Sequence, residues 1–279
     1  KRKNGRPNAL QEVIHLLKLE GINKIFNEGT PDEKVALDNI NLHLAPGNFV
    51  TIIGSNGAGK STMMNMISGA LTPDFGAVSI DGNDVTRLPE YKRSHFIGRV
   101  FQDPMAGTAP SMTIEENLAI AYSRNAKRGL RFGVDKKRRE FLKTSLERLG
   151  LNLENRLSAK VGLLSGGERQ ALSLLMATFT KPSILLLDEH TAALDPSRAE
   201  LITRLTKELV EADNLTTLMV THNMQQALDL GNRLIMMDKG QIILEVGEDK
   251  KPGLTIPDLM AEFERIRGEK MNSDRALLG

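Results

Sequence analysis

The segment "FVTIIGSNGAGKST" constrains this chain more than any other. Its first residues are almost wholly apolar and predict a short buried strand. From Gly54 to Thr62 it follows the pattern Gly, four residues, Gly, Lys, Ser/Thr, and a helical run comes next. Strand, glycine loop, helix is the context in which that pattern cradles phosphate. The glycines let the backbone fold back so that its N–H groups converge on phosphate oxygens. The cradle is Gly54, Ser55, Asn56, Gly57, Ala58, Gly59, Lys60, Ser61 and Thr62. Lys60 is expected to reach the β- and γ-phosphates, and the Ser61 hydroxyl to join the shell of a Mg²⁺ ion. An ordinary glycine-rich turn is the bland alternative, and the flanking strand and helix argue against it. Met63, Met64 and Met66 read as core filler in the helix.

A second apolar run, "SILLLDEH", reads as a buried strand of a parallel sheet that delivers Asp188 and Glu189 at its carboxyl edge, where open α/β sheets bind ligands. Asp188 is expected to bind Mg²⁺, directly or through water. Glu189 is placed to polarise the water that attacks the γ-phosphate, as a general base. A third run, "TTLMVTH", should lie beside the first two and brings His222 to the same edge as a γ-phosphate contact. Gln102 ends "RVFQ" where the pattern changes, and is either a sensor of Mg²⁺ or a solvated loop residue. Phe26, one of few aromatics before the glycine loop, either stacks on adenine or packs in a strand.

The rest of the chain fits an α/β reading. "LDNINLHL" alternates Ile40, Leu42 and Leu44 with Asn39, Asn41 and His43, as a half-buried strand does. The preceding "NEGTPDEKV" reads as a polar connector, and "AVSIDGNDV" as a strand with an Asp-Gly turn. From 102 to 164 the patterns are helical. A capping box from Thr113 to Glu116 opens one helix, and Phe141, Leu142, Leu146 and Leu149 form a helical stripe in another. After Pro182, strands and helices alternate, which predicts βαβ units and a mainly parallel sheet. "TIPDLMAEFERIRG" reads as one amphipathic helix followed by polar residues.

Composition narrows the function classes. The chain has 279 residues, a formal net charge of +2 and no cysteine. Near-neutral charge gives no footprint for nucleic acid. The absence of cysteine removes disulfides, thiolate metal sites and cysteine nucleophiles, and suits a reducing compartment. No segment has the unbroken apolar length of a membrane span, and the basic N-terminal stretch, which has no initiator Met, lacks a signal peptide's apolar centre. A soluble intracellular protein is expected.

One stretch poses a question. "LLSGGERQALSLLMA" opens a helix on Ser165, Gly166 and Gly167, and a helix start is itself an anion site. The chain therefore carries two places for phosphate. Taken in order, "GSNGAGKST", Gln102, "LSGGE", "LLLDE", "ALD" (Ala193 to Asp195) and His222 resemble the ATP-binding cassette, or ABC, ATPases, from about Leu16 to Gly247. The resemblance implies a P-loop NTPase fold with a RecA-like core, a small antiparallel β subdomain and an inserted helical subdomain. The corresponding bounds are 1–15 for an N-terminal extension, 16–101 for the β subdomain and first part of the core, 102–164 for the helical subdomain, 165–247 for the rest of the core, and 248–279 for the C-terminal helix and tail.

The resemblance also answers the question. It implies that Ser165, Gly166 and Gly167 grip the γ-phosphate of ATP held by the Lys60 and Ser61 of a second copy, so that two head-to-tail chains sandwich two nucleotides. A helix end contributes about 0.3–2 kcal/mol per favourable anion contact, enough to couple closure to a phosphate that ADP lacks. Asp195 would then lie at the dimer interface. His190 departs from the family, many of whose members have Pro there, and is either a partner behind Glu189 or a tolerated loop residue; a histidine there would titrate near neutrality. "FQDPMAGTAPSMTIEENLA" and "DEHTAALD" are similar to stand-alone bacterial import ATPases serving amino-acid-like solutes. That implies a separate integral membrane permease docking at 102–118 and the helical insert, indirectly an extracytoplasmic solute-binding protein, and a peripheral place at the cytoplasmic face. The basic run "KRGLRFGVDKKRRE" reads as a solvated helix face.

Rival readings are weaker. An ABC ATPase acting on DNA would need a long coiled-coil insertion, and a ribosome-acting one usually two cassettes. A regulatory module would be expected to have lost Lys60, Glu189 or His222. A small GTPase needs an Asn-Lys-x-Asp guanine reader, which the sequence lacks.

Overall fold

The computed structural model describes residues 15–124 and 135–278, without the side chains of 267 and 269–278. Two sheets organise it. The smaller is antiparallel, ordered β2-β1-β4-β5, from Leu17–Phe26 (β1), Lys34–Leu44 (β2), Phe75–Ile80 (β4) and the short Asn83–Asp84 (β5). Its β4–β5 turn puts Asp81 and Gly82 at positive φ, as the Asp-Gly pair predicts. The larger sheet has the order β10-β9-β3-β8-β7-β6. It is built from Phe49–Gly54 (β3), Ile97–Val100 (β6), Ile184–Asp188 (β7), Thr216–Val220 (β8), Arg233–Asp238 (β9) and Gln241–Val246 (β10). The pairs β3·β8, β3·β9, β7·β8 and β6·β7 are parallel, and only β10 joins antiparallel, on β9.

Strand periodicity decides which layer each residue enters. Along β7, Ile184 and Leu186 face one hydrophobic cluster and Leu185 and Leu187 the other, all fully buried. The first cluster holds the apolar face of the small sheet, including Ile40, Leu42 and Leu44. It also holds Met63, Met64 and Met66 of α1 (Lys60–Ser68), which are fully buried core, as read from the sequence. The second cluster joins the other face of the large sheet to the helical layer. That layer comprises α3 (Ile114–Tyr122), α4 (Lys136–Glu147), α5 (Gly166–Thr178) and α6 (Pro196–Ala212); a short α2 (Glu90–Arg93) precedes β6. The capping box of Thr113 and Glu116 forms at the start of α3.

Three local expectations change. Phe141 does not join the buried stripe of α4: it is 46 % exposed, while Leu142, Leu146 and Leu149 are buried. Its ring instead stacks at the surface with Tyr122 and Phe179. The connector before β2 is shorter than read, because Lys34 and Val35 already pair across to Phe26 and Ile25. The C-terminal helix runs on as α8, Ile256–Leu278, through the stretch read as a polar tail. It packs on this chain's own core through Leu259 and Phe263, in a third cluster with Ile53, Leu234 and Met236. Part of the basic run "KRGLRFGVDKKRRE" and most of the N-terminal extension lie outside the described residues. No helix among the described residues is long and apolar enough to cross a membrane.

Candidate functional site

The carboxyl edge of the large sheet carries the site. β3 ends at Gly54, and the loop after it turns through Gly59, the N-cap of α1, whose φ of 99° is left-handed. A Cβ there would come 2.5 Å from the Ala36 carbonyl, so the close approach of the loop to β2 requires glycine. Lys60 is 5 % exposed and folds back on the loop, its Nζ 2.8 Å from the Gly54 carbonyl and 3.0 Å from that of Ser55. Burial lowers its pKa from the ordinary value, while Glu189 and Asp188 pull the other way.

A cavity of about 340 Å³ lies over this loop. Asn56, Gly57, Ala58, Gly59, Lys60, Ser61 and Thr62 form its floor, and Glu189 and His222 stand at one side. Phe26, half-buried, lines another wall, so it is not strand core. Gly54 and Ser55 are not among the lining; they offer carbonyls to Lys60, and the Ser55 hydroxyl is 3.1 Å from Asp238. The size suits a nucleotide, at the lower end of the range for small-molecule sites.

Glu189 and His222 meet because β7 and β8 are neighbours in register, Asp188 beside Val220. His222 Nε2 lies 2.6 Å from Glu189 Oε1. An ionised carboxylate only accepts, so the ring N–H donates. Glu189 itself sits at a φ of 48°, with its amide bonded to the Val220 carbonyl at 3.0 Å. A non-glycine residue in that region costs about 1–3 kcal/mol, and such strain clusters at functional positions.

Asp188 closes β7 but does not line the cavity. It pairs with Arg99 of β6, 3.4 Å away. Arg99 also reaches Asn65 at 2.8 Å and Ser68 at 3.2 Å on α1, and its guanidinium lies over the Phe101 ring. It therefore ties the loop helix to Asp188 and to the residue next to Gln102. Gln102 is exposed just beyond β6 and is not brought to the cavity.

The "LSGGE" segment stands apart. Ser165 caps α5 through a capping box with Glu168, whose carboxylate also takes Arg156 at 2.6 Å. Gly167 is buried under Arg198, while Ser165 and Gly166 are partly exposed and the preceding Leu163 is 76 % exposed. None of residues 165–167 lines the cavity over the glycine loop. Asp195 is exposed and caps α6.

His190 fits neither expectation. It is 2 % exposed, with Nε2 2.9 Å from Thr206 Oγ1. That hydroxyl donates to the Ile202 carbonyl, so it accepts from the ring. Burial pushes the His190 pKa down to about 4, so it does not titrate near neutrality. It is a core residue joining the turn after Glu189 to α6.

Sequence reasoning missed Lys34 and Ala36, which line the cavity together with Phe26, and also Arg99. The pairing of Lys34 with Phe26 across the β1–β2 hairpin is the signal that could have found the first.

The chain is similar to known proteins in sequence and in fold. The family model for the ABC transporter matches residues 37–192. The tyrosine transport ATP-binding protein of Clostridioides difficile (strain R20291) is 43% identical over 253 residues, covering 89% of this chain and 99% of that protein. The energy-coupling factor transporter ATP-binding protein EcfA2 of Clostridium perfringens (strain 13 / Type A) is 31% identical over 276 residues, with 92% and 91% covered. Among solved structures, the dimeric post-hydrolysis state of the ATP-binding cassette MJ0796 bound to ADP and Pi matches with a TM-score of 0.71 at 32% identity. It covers 83% of this chain and 98% of that one. The chain belongs to the ABC transporter family, as one of its ATP-binding and ATP-hydrolysing subunits.

Proposed function

We propose that two copies of this chain close head to tail around two ATP molecules and drive a separate membrane permease that imports an amino-acid-like solute. The carrying observation is the separation of the two anion sites. The cavity over the glycine loop gathers Lys60, Ser61, Glu189 and His222 but nothing from residues 165–167, whose helix start is left partly exposed. A second copy is the simplest source of the missing contact.

In this reading the P-loop amides and Lys60 hold the β- and γ-phosphates, and Phe26 stacks on the base. Glu189 accepts a proton from the attacking water. His222, bonded to Glu189, contacts the γ-phosphate and holds the carboxylate in place. Ser165 and Gly166 of the facing copy grip the γ-phosphate, with Gly167 packed behind them and Asp195 at the interface. Ser61, Asp188 and Gln102 offer oxygen donors, the hard set that magnesium takes when phosphates and water complete its shell. When bound, that ion neutralises charge on the phosphate oxygens. For Gln102 this requires its exposed loop to move inward.

The permease would dock at 102–118 and the helical layer, placing the chain at the cytoplasmic face of the membrane, with an extracytoplasmic solute-binding protein supplying the solute. The amino-acid assignment, aromatic in particular, is supported by the name of the Clostridioides difficile relative. A test is Ser165→Arg, which fills the facing phosphate site without touching the cavity. Each chain should still bind ATP, while ATP-dependent dimerisation and hydrolysis are lost. Wild-type hydrolysis in that variant would contradict the reading.

A further inference from the structure

A polar network lies beneath His222 that the cavity does not use. At its centre is Gln226, 9% exposed, on α7 (Met224–Asp229). The Thr221 hydroxyl donates to Gln226 Oε1 at 2.6 Å. Gln226 Nε2 lies 2.8 Å from Thr203 Oγ1 on α6 and 3.3 Å from Thr191 Oγ1, in the turn between Glu189 and Asp195. The directions follow from chemistry. Thr203 commits its only hydroxyl proton to the Ala199 carbonyl, so it accepts from the amide, which places the amide oxygen toward Thr221. Thr221 Oγ1 in turn accepts from the Asn223 amide at 3.1 Å, and Asn223 Oδ1 accepts from the Gln226 amide at 3.0 Å. His222 thus sits between two residues that both bond to Gln226.

We propose that Gln226 is a positioning residue that couples His222 to the turn leading to Asp195, so that the two nucleotide sites of a dimer respond to each other. This rests on the head-to-tail reading above, in which His222 serves the chain's own nucleotide and Asp195 faces the partner. The amide uses its oxygen and its N–H groups on three separate segments. The His222 loop cannot shift against the Thr191 turn without leaving a buried polar group unpaired. Movement at one site is therefore carried to the other.

The test is Gln226→Met, which keeps length and volume and removes every polar bond of the side chain while leaving the backbone amide on Asn223, together with Thr191→Val, which cuts only the link to the turn. ATP affinity, steady-state hydrolysis against ATP concentration, and urea stability are measured for both. ATP affinity should stay within about twofold, because neither residue lines the cavity. The kcat should fall by about 10–100-fold, the scale of an ångström-level misplacement of a reacting group. The Hill coefficient should drop toward about one. If Gln226→Met does not fold, Thr191→Val carries the test: wild-type kcat and cooperativity in a folded Thr191→Val would overturn the role of Gln226. A wild-type enzyme without cooperativity would overturn the two-site reading itself.

Discussion

Replacing His190 with glutamine should make the chain more resistant to acid, by an amount that its burial sets. In the native state the ring is enclosed, 2 % exposed, and its pKa is held at about 4 rather than the ordinary 6.5. Between those two values the unfolded chain binds a proton that the native chain does not. Stability therefore falls as pH drops through that window, and is unaffected by this group above it. The gap corresponds to about 3.4 kcal/mol in the low-pH limit, and to about 2 kcal/mol at about pH 5 compared with about pH 7.5. Glutamine can still donate an amide N–H toward Thr206 but has nothing to titrate. The assay is urea unfolding followed by circular dichroism, since the chain has no tryptophan, with chelator present and nucleotide absent. Wild type should lose about 2 kcal/mol more than His190→Gln between the two pH values, all other groups cancelling in the difference. Equal losses would refute a neutral, enclosed His190.

Three further outcomes follow from the site and the core. Lys60→Ala should weaken ATP binding by about 10–100-fold, the worth of charge-assisted hydrogen bonds to phosphate; calorimetry showing unchanged affinity would remove Lys60 from the cradle. Glu189→Gln should bind ATP normally yet slow turnover by about 10²–10⁴-fold, which single-turnover kinetics would check. Arg93, 1 % exposed, donates to the carbonyls of Met66, Ile67, Thr86 and Leu88. Arg93→Met should therefore cost about 3 kcal/mol of stability by urea titration, by leaving buried carbonyls unpaired.

The parts of this molecule readable from its sequence are those where function and fold share one contiguous pattern. The strand, glycine loop and helix around Lys60 form a local unit, so spacing alone placed it. The run ending in Asp188 and Glu189 was legible because a strand buried on both faces has a continuous apolar signature. Contacts between distant segments were not legible. Arg99 reaches Asn65 and Asp188 only because β6 lies beside β7 and near α1. His190 follows two carboxylates and looks like an exposed turn, yet the turn folds under α6. Gln226 stands in the polar run "HNMQQ", which reads as solvated, but α7 presents it to three threonines. Phe141 had the right helical spacing, but Tyr122 and Phe179 gave its ring a surface stack instead.

The most direct test of the account is the specific ATPase rate of the purified chain, followed over a serial dilution while its mass in solution is recorded. If the γ-phosphate must be gripped by Ser165 and Gly166 of a second molecule, the rate per chain falls as dimers dissociate, and vanishes when only single chains remain. A rate per chain that stays constant where only monomers are detected would contradict it.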